Sequence, residues 1–305
     1  MNIVIMGAGS IGSLFGALLS KKNNVVLVGR KFHVNAIRKN GLTIEGKTQL
    51  NVEISAEDAV GKVPFIPDLL ILTVKSYDTK EAINQAKQII GKDTIVLSLQ
   101  NGLDNIDKIQ ETVDSKNIIA GVTTHGALFY EPGIIKHTGK GSTILGELNG
   151  KQSERIEYIS DVFNEADIET TISDDIVKEL WTKAIINSSI NPLTALFQCK
   201  NGYLLENPIL ENIIGKICEE STLAANKEEM QLSPEKMYNK TRQVILDTAE
   251  NYSSMLQSLR KEKKTEIDSI NGKIAEIGKK QGMEPLMNEM MVYSIKSISE
   301  KEKGN

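Results

Sequence analysis

Cysteine is scarce in this chain: Cys199 and Cys218 are the only two in 305 residues. That excludes a disulfide framework, and the two lie too far apart for a C-x-x-C pair, so free thiols are expected. The three histidines, His33, His125 and His137, show no metal-ligand spacing, and no metal site is expected. Aromatic residues make up 5%, which leaves the core to aliphatic side chains. With 7 prolines and 23 glycines the chain is not of low complexity. No apolar run approaches the roughly 18 residues of a membrane span. Met1–Met6 is apolar but lacks a basic flank, and it reads as a buried strand and not as a signal peptide. A surplus of cations is also missing: 36 Lys+Arg against 40 Asp+Glu give a net charge of −4. Neither nucleic acid nor a membrane is therefore an expected partner, and the cytoplasm is the expected location.

What remains is the composition of an ordinary globular protein, with 40% hydrophobic and 25% charged residues. At about 150 residues per domain its length suggests two domains. The first half alternates strand-like runs with helical patterns. Asn2–Met6, Val25–Gly29, Leu69–Val74, Thr94–Leu99 and Asn117–Val122 read as strands. Ser10–Lys21, Asp78–Ile90 and Leu103–Thr112 read as helices. Such alternation predicts a parallel sheet. Gly133–His137 and Ser142–Gly146 suggest an antiparallel addition at a sheet edge, and Ile168–Ile172 a last strand. From Asp174 onward helical periodicity dominates, in Asp174–Phe197, Ile209–Glu229, Ser233–Thr248, Glu266–Gln281 and Glu289–Ser299. Pro192 should kink or break the first of these. Ser233-Pro234 is a helix start, with serine as the cap and proline in the first turn. The fold class is α/β: a Rossmann-like dinucleotide-binding domain over 1–173, then an all-α domain over 174–305. The tail Ser299–Asn305 is charged and expected to fray.

Gly7-Ala8-Gly9-Ser10-Ile11-Gly12 fits G-x-G-x-x-G between a strand and a helix. In that setting Gly7 permits the turn, Gly9 leaves room for a pyrophosphate, and Gly12 lets the helix approach the strand. The helix N-terminus then offers N–H groups to the phosphates. An ordinary tight turn would also use these glycines. Gly29-Arg30-Lys31 ends the second strand where an NAD-binding chain usually carries an acid. Two cations there suit the 2′-phosphate of NADP(H). Lys75 and Asn101 follow two further strands, and ligands of doubly wound sheets bind beyond such ends. Each is also compatible with a solvated strand end or a turn.

Lys183, Asn187 and Asn191 are spaced i, i+4, i+8 on one face of a helix whose other positions include Ala184, Ile185, Ile186 and Ile190. One ammonium and two carboxamides can bind a carboxylate, a ketone and a hydroxyl. A structural file of hydrogen bonds between helices would read the same way. Further polar clusters lie at Asn251–Met255 and at Thr265–Asp268, the latter followed by Ile270-Asn271-Gly272. Glu266 and Asp268 are equally compatible with acids at a helix start, and Asn201-Gly202 with a turn. Spacing alone does not connect these clusters to Lys183.

Taken together the motifs resemble the ketopantoate reductase (2-dehydropantoate 2-reductase) family. The resemblance rests on Gly7–Gly12, Arg30, Thr73-Val74-Lys75, Leu99–Gly102 and Thr123–Gly126. It continues through Trp181–Leu193, Asn201-Gly202, Ser253–Gln257 and Lys264–Gly272. It implies NADPH-dependent reduction of 2-dehydropantoate to (R)-pantoate, on the way to pantothenate and coenzyme A, with the active site in a cleft. By position it makes Lys183 the catalytic acid and Glu266 the carboxylate near that lysine and the cofactor. Asn187, Asn191 and Ser254 match substrate-binding positions, joined by Asn201, Asn251 and Asn101. Gly7, Ala8, Gly9, Ser10, Ile11, Gly12, Arg30, Lys75, Asn101 and Gly126 match cofactor contacts. The implied partner is a small 2-oxo acid, with a homodimer as a possible assembly. The alternatives are a related NADP-dependent reductase of another 2-oxo acid and a non-catalytic NADP-binding sensor. The presence of both Lys183 and Glu266 disfavours the sensor.

Overall fold

The structure is a computed structural model that describes residues 1–301. Its chain forms two compact units. The first is Met1–Gln100 with Asn105–Glu179, and the second is Asn101–Asp104 with the chain from Leu180 onward.

In the first unit the elements run β1 (Asn2–Met6), α1 (Ser10–Leu19), β2 (Asn24–Val28), α2 (Lys31–Asn40), β3 (Leu42–Gly46), β4 (Leu50–Val52) and β5 (Ser55–Glu57). They continue as β6 (Leu69–Leu72), α3 (Thr79–Ala86), β7 (Ile95–Ser98), α4 (Asn105–Gln110), β8 (Ile118–Thr123), β9 (Gly126–Glu131) and β10 (Ile134–Gly139). The last are β11 (Thr143–Glu147), α5 (Glu154–Asn164) and β12 (Thr170–Ile172). Eight strands form one sheet in the order β12-β11-β8-β7-β6-β1-β2-β5. All neighbours pair in parallel except β8 and β11. The chain moves from β1 out to β2 and β5, then returns to β6 on the other side of β1. Strand order therefore reverses between β1 and β6, and the crevice beyond their carboxyl ends is where a doubly wound sheet binds ligands.

Burial follows the two-residue period of a strand. Ile3 and Ile5 pack on one face with Leu14, Phe15, Ile44 and Phe163. Val4 and Met6 pack on the other with Val26, Leu70, Ile83 and Ile109. The sheet is thus covered on both faces, which is why its central strands read as unbroken apolar runs.

The edge addition is only partly as expected. β11 does pair antiparallel with β8. β10 instead joins a second, four-stranded sheet in the order β4-β3-β10-β9, where it pairs parallel with β3 and antiparallel with β9. Leu42, Ile44 and Ile135 of that sheet are fully packed into the core that also holds α1.

All three histidines are buried in this unit. His33 Nδ1 accepts from the Gly133 N–H at 3.0 Å, and its Nε2 lies 3.0 Å from Ser13 Oγ. A cationic ring could not accept the Gly133 bond. His125 Nδ1 lies 3.2 Å from His137 Nε2. Burial brings His33 down to about 4, and burial together with His137 brings His125 to about 4. Between the ordinary value of 6.5 and about 4, the unfolded chain binds protons that the folded chain does not. Stability therefore falls as the pH falls through that window, by about 1.4 kcal/mol per pH unit for each such histidine. The melting temperature should decline between about pH 6.5 and pH 4.5, less steeply for His33→Gln. A flat profile for the native chain would contradict this.

The second unit is helical: α6 (Ile176–Phe197), α7 (Tyr203–Glu206), α8 (Pro208–Lys227), α9 (Pro234–Asp247), α10 (Ser254–Leu259), α11 (Lys273–Lys280) and α12 (Leu286–Lys301). A π turn over Asp268–Gly272 leads into α11. The expected start at Ser233 is present, with its hydroxyl accepting from the Lys236 N–H. The units part within α6 and not at the expected 173/174, because the first turn of α6 packs on β11. A Cβ on Gly146 would fall 2.5 Å from Ile176 Cβ. Of the tail expected at Ser299–Asn305, α12 takes in residues to Lys301, and residues 302–305 lie outside the described residues.

Of the kink or break expected at Pro192, the break does not occur: α6 runs through it. Proline has no N–H for the carbonyl of Ser188, one turn back. Asn271 Nδ2 donates to that carbonyl instead, at 3.1 Å. Among the described residues no helix is long and apolar enough to cross a membrane.

Candidate active site

The candidate residues fall into two sets, each built within its own unit. In the first unit the glycine loop leaves β1 and enters α1. Gly7 has φ +110°, and a Cβ there would lie 2.6 Å from Val74 N. Its N–H and that of Ala8 both reach Val28 O, at 3.0 and 2.9 Å. A Cβ on Gly12 would collide with Gly7 O and Thr73 Oγ1. Thr73 Oγ1 itself donates to Gly7 O at 2.8 Å. Packing therefore demands glycine at both ends of the motif. Gly9 is different: it is exposed, has φ −89°, and its Cβ would meet only Gly7 O, at 3.9 Å. Nothing in the protein requires a glycine there. The space is left open in front of the first turn of α1, where Ser10, Ile11 and Gly12 present backbone N–H groups without intrahelical partners. That cradle fits the pyrophosphate of a dinucleotide.

Arg30 and Lys31 are exposed where β2 passes into α2, and Arg30 occupies the cap position of that helix. Glu57, opposite Val28 in the sheet register, is ion-paired with Arg38. Lys75 is half-buried at the end of β6 and precedes the turn Ser76–Asp78. Gln100 is buried and holds two strand ends together. Its Nε2 lies 2.9 Å from Val74 O and 2.6 Å from Thr79 Oγ1. Its amide is thus used by the protein, which makes Gln100 a brace between the two strand ends. Gly126 opens β9, where a Cβ would fall 2.7 Å from Thr138 Oγ1. Close strand packing alone requires that glycine.

In the second unit α6 carries Lys183 and Asn187, both half-buried, and Asn191, 6% exposed. Ala184, Ile185, Ile186 and Ile190 between them are buried. The end of the file is tied to the Ser254 segment. Thr194 Oγ1 lies 2.7 Å from Ser253 Oγ, and Ser253 caps α10 by accepting from the Leu256 N–H at 3.2 Å. Ser254 is the first residue of α10 and is exposed, as is Asn251. Asn201 clamps the turn before them: its N–H donates to Asn251 O at 3.0 Å and its Nδ2 to Thr248 Oγ1 at 2.9 Å.

Glu266 is 7% exposed and lies two residues before the π turn. The Asn101 loop rests on that turn. The Leu103 N–H donates to Ser269 O at 3.0 Å, and Ser269 Oγ donates to Asp104 Oδ2 at 3.1 Å. Gly102, at φ +100°, permits the approach, since a Cβ would fall 2.8 Å from Ser269 Cβ. The structure therefore links the segments that carry Lys183, Asn187, Asn191, Ser254, Asn201 and Asn251 on one side, and those that carry Glu266 and Asn101 on the other. Asn271 joins the two groups through Ser188. The sequence reading did not single out Thr73, Thr194, Ser253, Ser269 or Asn271 for these tasks. Residue type alone does not mark them, because Ser, Thr and Asn recur throughout the chain. Among the described residues no cluster of three or more His, Cys, Asp or Glu is arranged to hold a metal.

Comparison with known proteins gives consistent matches along the chain. The model of the family described as ketopantoate reductase PanE/ApbA matches residues 3–150, and that of its C-terminal part matches residues 175–299. The 2-dehydropantoate 2-reductase of Pyrococcus abyssi is 44% identical over 299 residues, covering 97% of each chain. That of Pyrococcus horikoshii is 41% identical over 300 residues, again 97% of each. Among solved structures, the ternary structure of D-mandelate dehydrogenase with NADH and anilino(oxo)acetate superposes with a TM-score of 0.94 at 28% identity, covering 99% of both chains. A PanE/ApbA family ketopantoate reductase from Ralstonia eutropha gives 0.92 at 28% identity, covering 99% of this chain and 100% of that one.

Proposed function

The chain belongs to the ketopantoate reductase family, and on that premise we propose that it reduces 2-dehydropantoate to (R)-pantoate with NADPH, with Lys183 as proton donor. The observation that carries the reading is the file Lys183, Asn187 and Asn191 on a helix whose intervening residues are buried. One ammonium and two carboxamides on one helix face can bind the carboxylate, ketone and hydroxyl of a hydroxylated 2-oxo acid.

When bound, the reduced nicotinamide supplies a hydride to the ketone carbon. The chain's own residues manage the charge that follows. The Lys183 ammonium faces the oxygen on which negative charge develops, stabilises it, and releases a proton from Nζ to it. The transfer runs downhill, because an ammonium is far more acidic than an alcohol. Glu266 orients that ammonium. The carboxamides of Asn187, Asn191 and Asn101 and the hydroxyl of Ser254 hold the substrate carboxylate and hydroxyl, with Asn201 and Asn251 shaping that side. Gly7–Gly12 cradle the pyrophosphate, Arg30 and Lys31 pair with the 2′-phosphate, and Lys75 and Gly126 line the cofactor's path. The net charge of −4 favours a small-molecule partner over nucleic acid, and two free thiols favour the cytoplasm. Leu286, Met290 and Tyr293, exposed on one face of α12, support a homodimer.

A second reading, reduction of another 2-oxo acid, is favoured by the likeness to D-mandelate dehydrogenase in its complex with NADH and anilino(oxo)acetate. One grid of assays separates the two: ketopantoate and phenylglyoxylate, each with NADPH and NADH. Ketopantoate with NADPH should give the highest kcat/KM. In Arg30→Ala the KM for NADPH should rise about tenfold or more, with little change for NADH. A higher kcat/KM for phenylglyoxylate would remove the substrate assignment. Tighter binding of NADH than NADPH by the native chain would remove the cofactor assignment.

A further inference from the structure

We propose that Asn271 is a positioning residue that fixes the register of the Lys183 helix against the turn that follows Glu266. This rests on the reading of Lys183 and Glu266 given above and adds a residue to it. Asn271 is fully buried and lies in the π turn, five residues after Glu266. One hydrogen of its Nδ2 goes to Ser188 O at 3.1 Å, and the other to Asn288 Oδ1 at 3.0 Å.

Ser188 O is the carbonyl that Pro192 deprives of its helical N–H. It lies on the turn between Asn187 and Asn191. The lesion in α6 and its repair by Asn271 therefore sit inside the polar file. The second acceptor, Asn288, is itself firmly held. Asn288 Nδ2 lies 2.7 Å from Glu220 Oε1 and 3.0 Å from Ser221 Oγ, and Glu220 also accepts the N–H groups of Met287 and Asn288 at 2.9 and 2.8 Å. Ser221 Oγ in turn lies 3.1 Å from Ser188 Oγ. Asn271 is thus clamped between α6, α8 and the start of α12. A π turn places its side chains off the helical period, and such turns recur at functional sites. Here the turn aims one amide at α6 while its Ser269 holds the Asn101 loop.

The carbonyl at 188 gives the test a specific rescue. Pro192→Ala restores an N–H that can satisfy Ser188 O from within the helix. Four proteins are compared: native, Asn271→Ala, Pro192→Ala and the double variant. The readouts are kcat, both KM values and melting temperature. Asn271→Ala should lower kcat by about tenfold or more, because small misplacements of reacting groups are costly. KM for NADPH should stay within about twofold, since the glycine loop is untouched. Pro192→Ala alone should keep kcat within about twofold, and the double variant should recover most of the kcat that Asn271→Ala loses. Additive losses in the double variant would overturn the proposal. So would an Asn271→Ala protein that melts lower but turns over normally per folded molecule, because a purely structural amide would do that. If Asn271→Ala does not fold, a folded and active double variant supports the proposal and an unfolded one overturns it. Lys183→Ala run alongside reports on the parent reading separately.

Discussion

Lys183→Ala is expected to lower kcat for ketopantoate by at least about 10²-fold, the usual loss on removing a general acid. KM for NADPH should change little, because Lys183 is on α6 whereas the glycine loop belongs to the other unit. The substitution removes two contributions at once, the cation that meets the developing alkoxide and the proton that quenches it. Lys183→Arg separates them. Arginine keeps the positive charge but is a far weaker acid, and its planar fork cannot occupy the same position. It should recover only part of the rate. Asn187→Ala should instead act mainly through KM for ketopantoate, if it holds substrate and transition state alike. Near-normal turnover of Lys183→Ala with intact NADPH binding would remove Lys183 from the chemistry.

The parts of the fold legible in the sequence are those set by local rules. The run Asn2–Met6, the glycine loop and the helix from Ser10 are read correctly because a doubly covered strand is apolar throughout and the turn needs its glycines. Ser233-Pro234 is read as a helix start because a cap and a first-turn proline are chemically local. The failures are non-local. β3 has only two buried side chains in five and gains its place by pairing with β10, far along the chain. A short strand with one buried face and charged neighbours carries little periodic signal. Pro192 shows the limit of a local rule. The rule that proline breaks a helix concerns an orphaned carbonyl, and here a side chain distant in sequence satisfies it.

The site shows the same division. Lys183, Asn187 and Asn191 can be read from helical spacing, since i and i+4 share a face. The association of the Asn101 loop with the turn after Glu266 depends on a Leu103 N–H meeting a Ser269 carbonyl, and backbone groups leave no mark in a sequence. Gln100 shows the converse. Its neighbour Asn101 and its strand-end place both suggest a ligand contact, but its amide is committed to Val74 and Thr79. Residue type and position nominate a site residue, and the hydrogen-bond partners decide between a ligand contact and a brace.

The same distinction, applied to the glycines, gives the second large effect. Gly9→Val should leave the melting temperature near the native value and weaken NADPH binding on the order of 10²-fold or more. Its backbone, at φ −89°, suits any residue, and the new Cβ would find only Gly7 O, at 3.9 Å. The protein leaves room for the Cβ, and the side chain built on it would occupy the space in front of the α1 N-terminus and keep phosphates from its N–H groups. Gly12→Ala should behave in the reverse order. Its Cβ would be driven into Gly7 O and Thr73 Oγ1, neither of them the loose end of a flexible chain. The loop must shift to accept it, at a cost of about 1–3 kcal/mol of stability, and binding is lost as a consequence of that shift. Thermal melting and a fluorescence titration with NADPH on both variants separate a glycine required by a ligand from one required by packing. If Gly9→Val bound NADPH as the native chain does, the phosphates could not lie over this turn, and the cofactor would have to be placed elsewhere along the sheet.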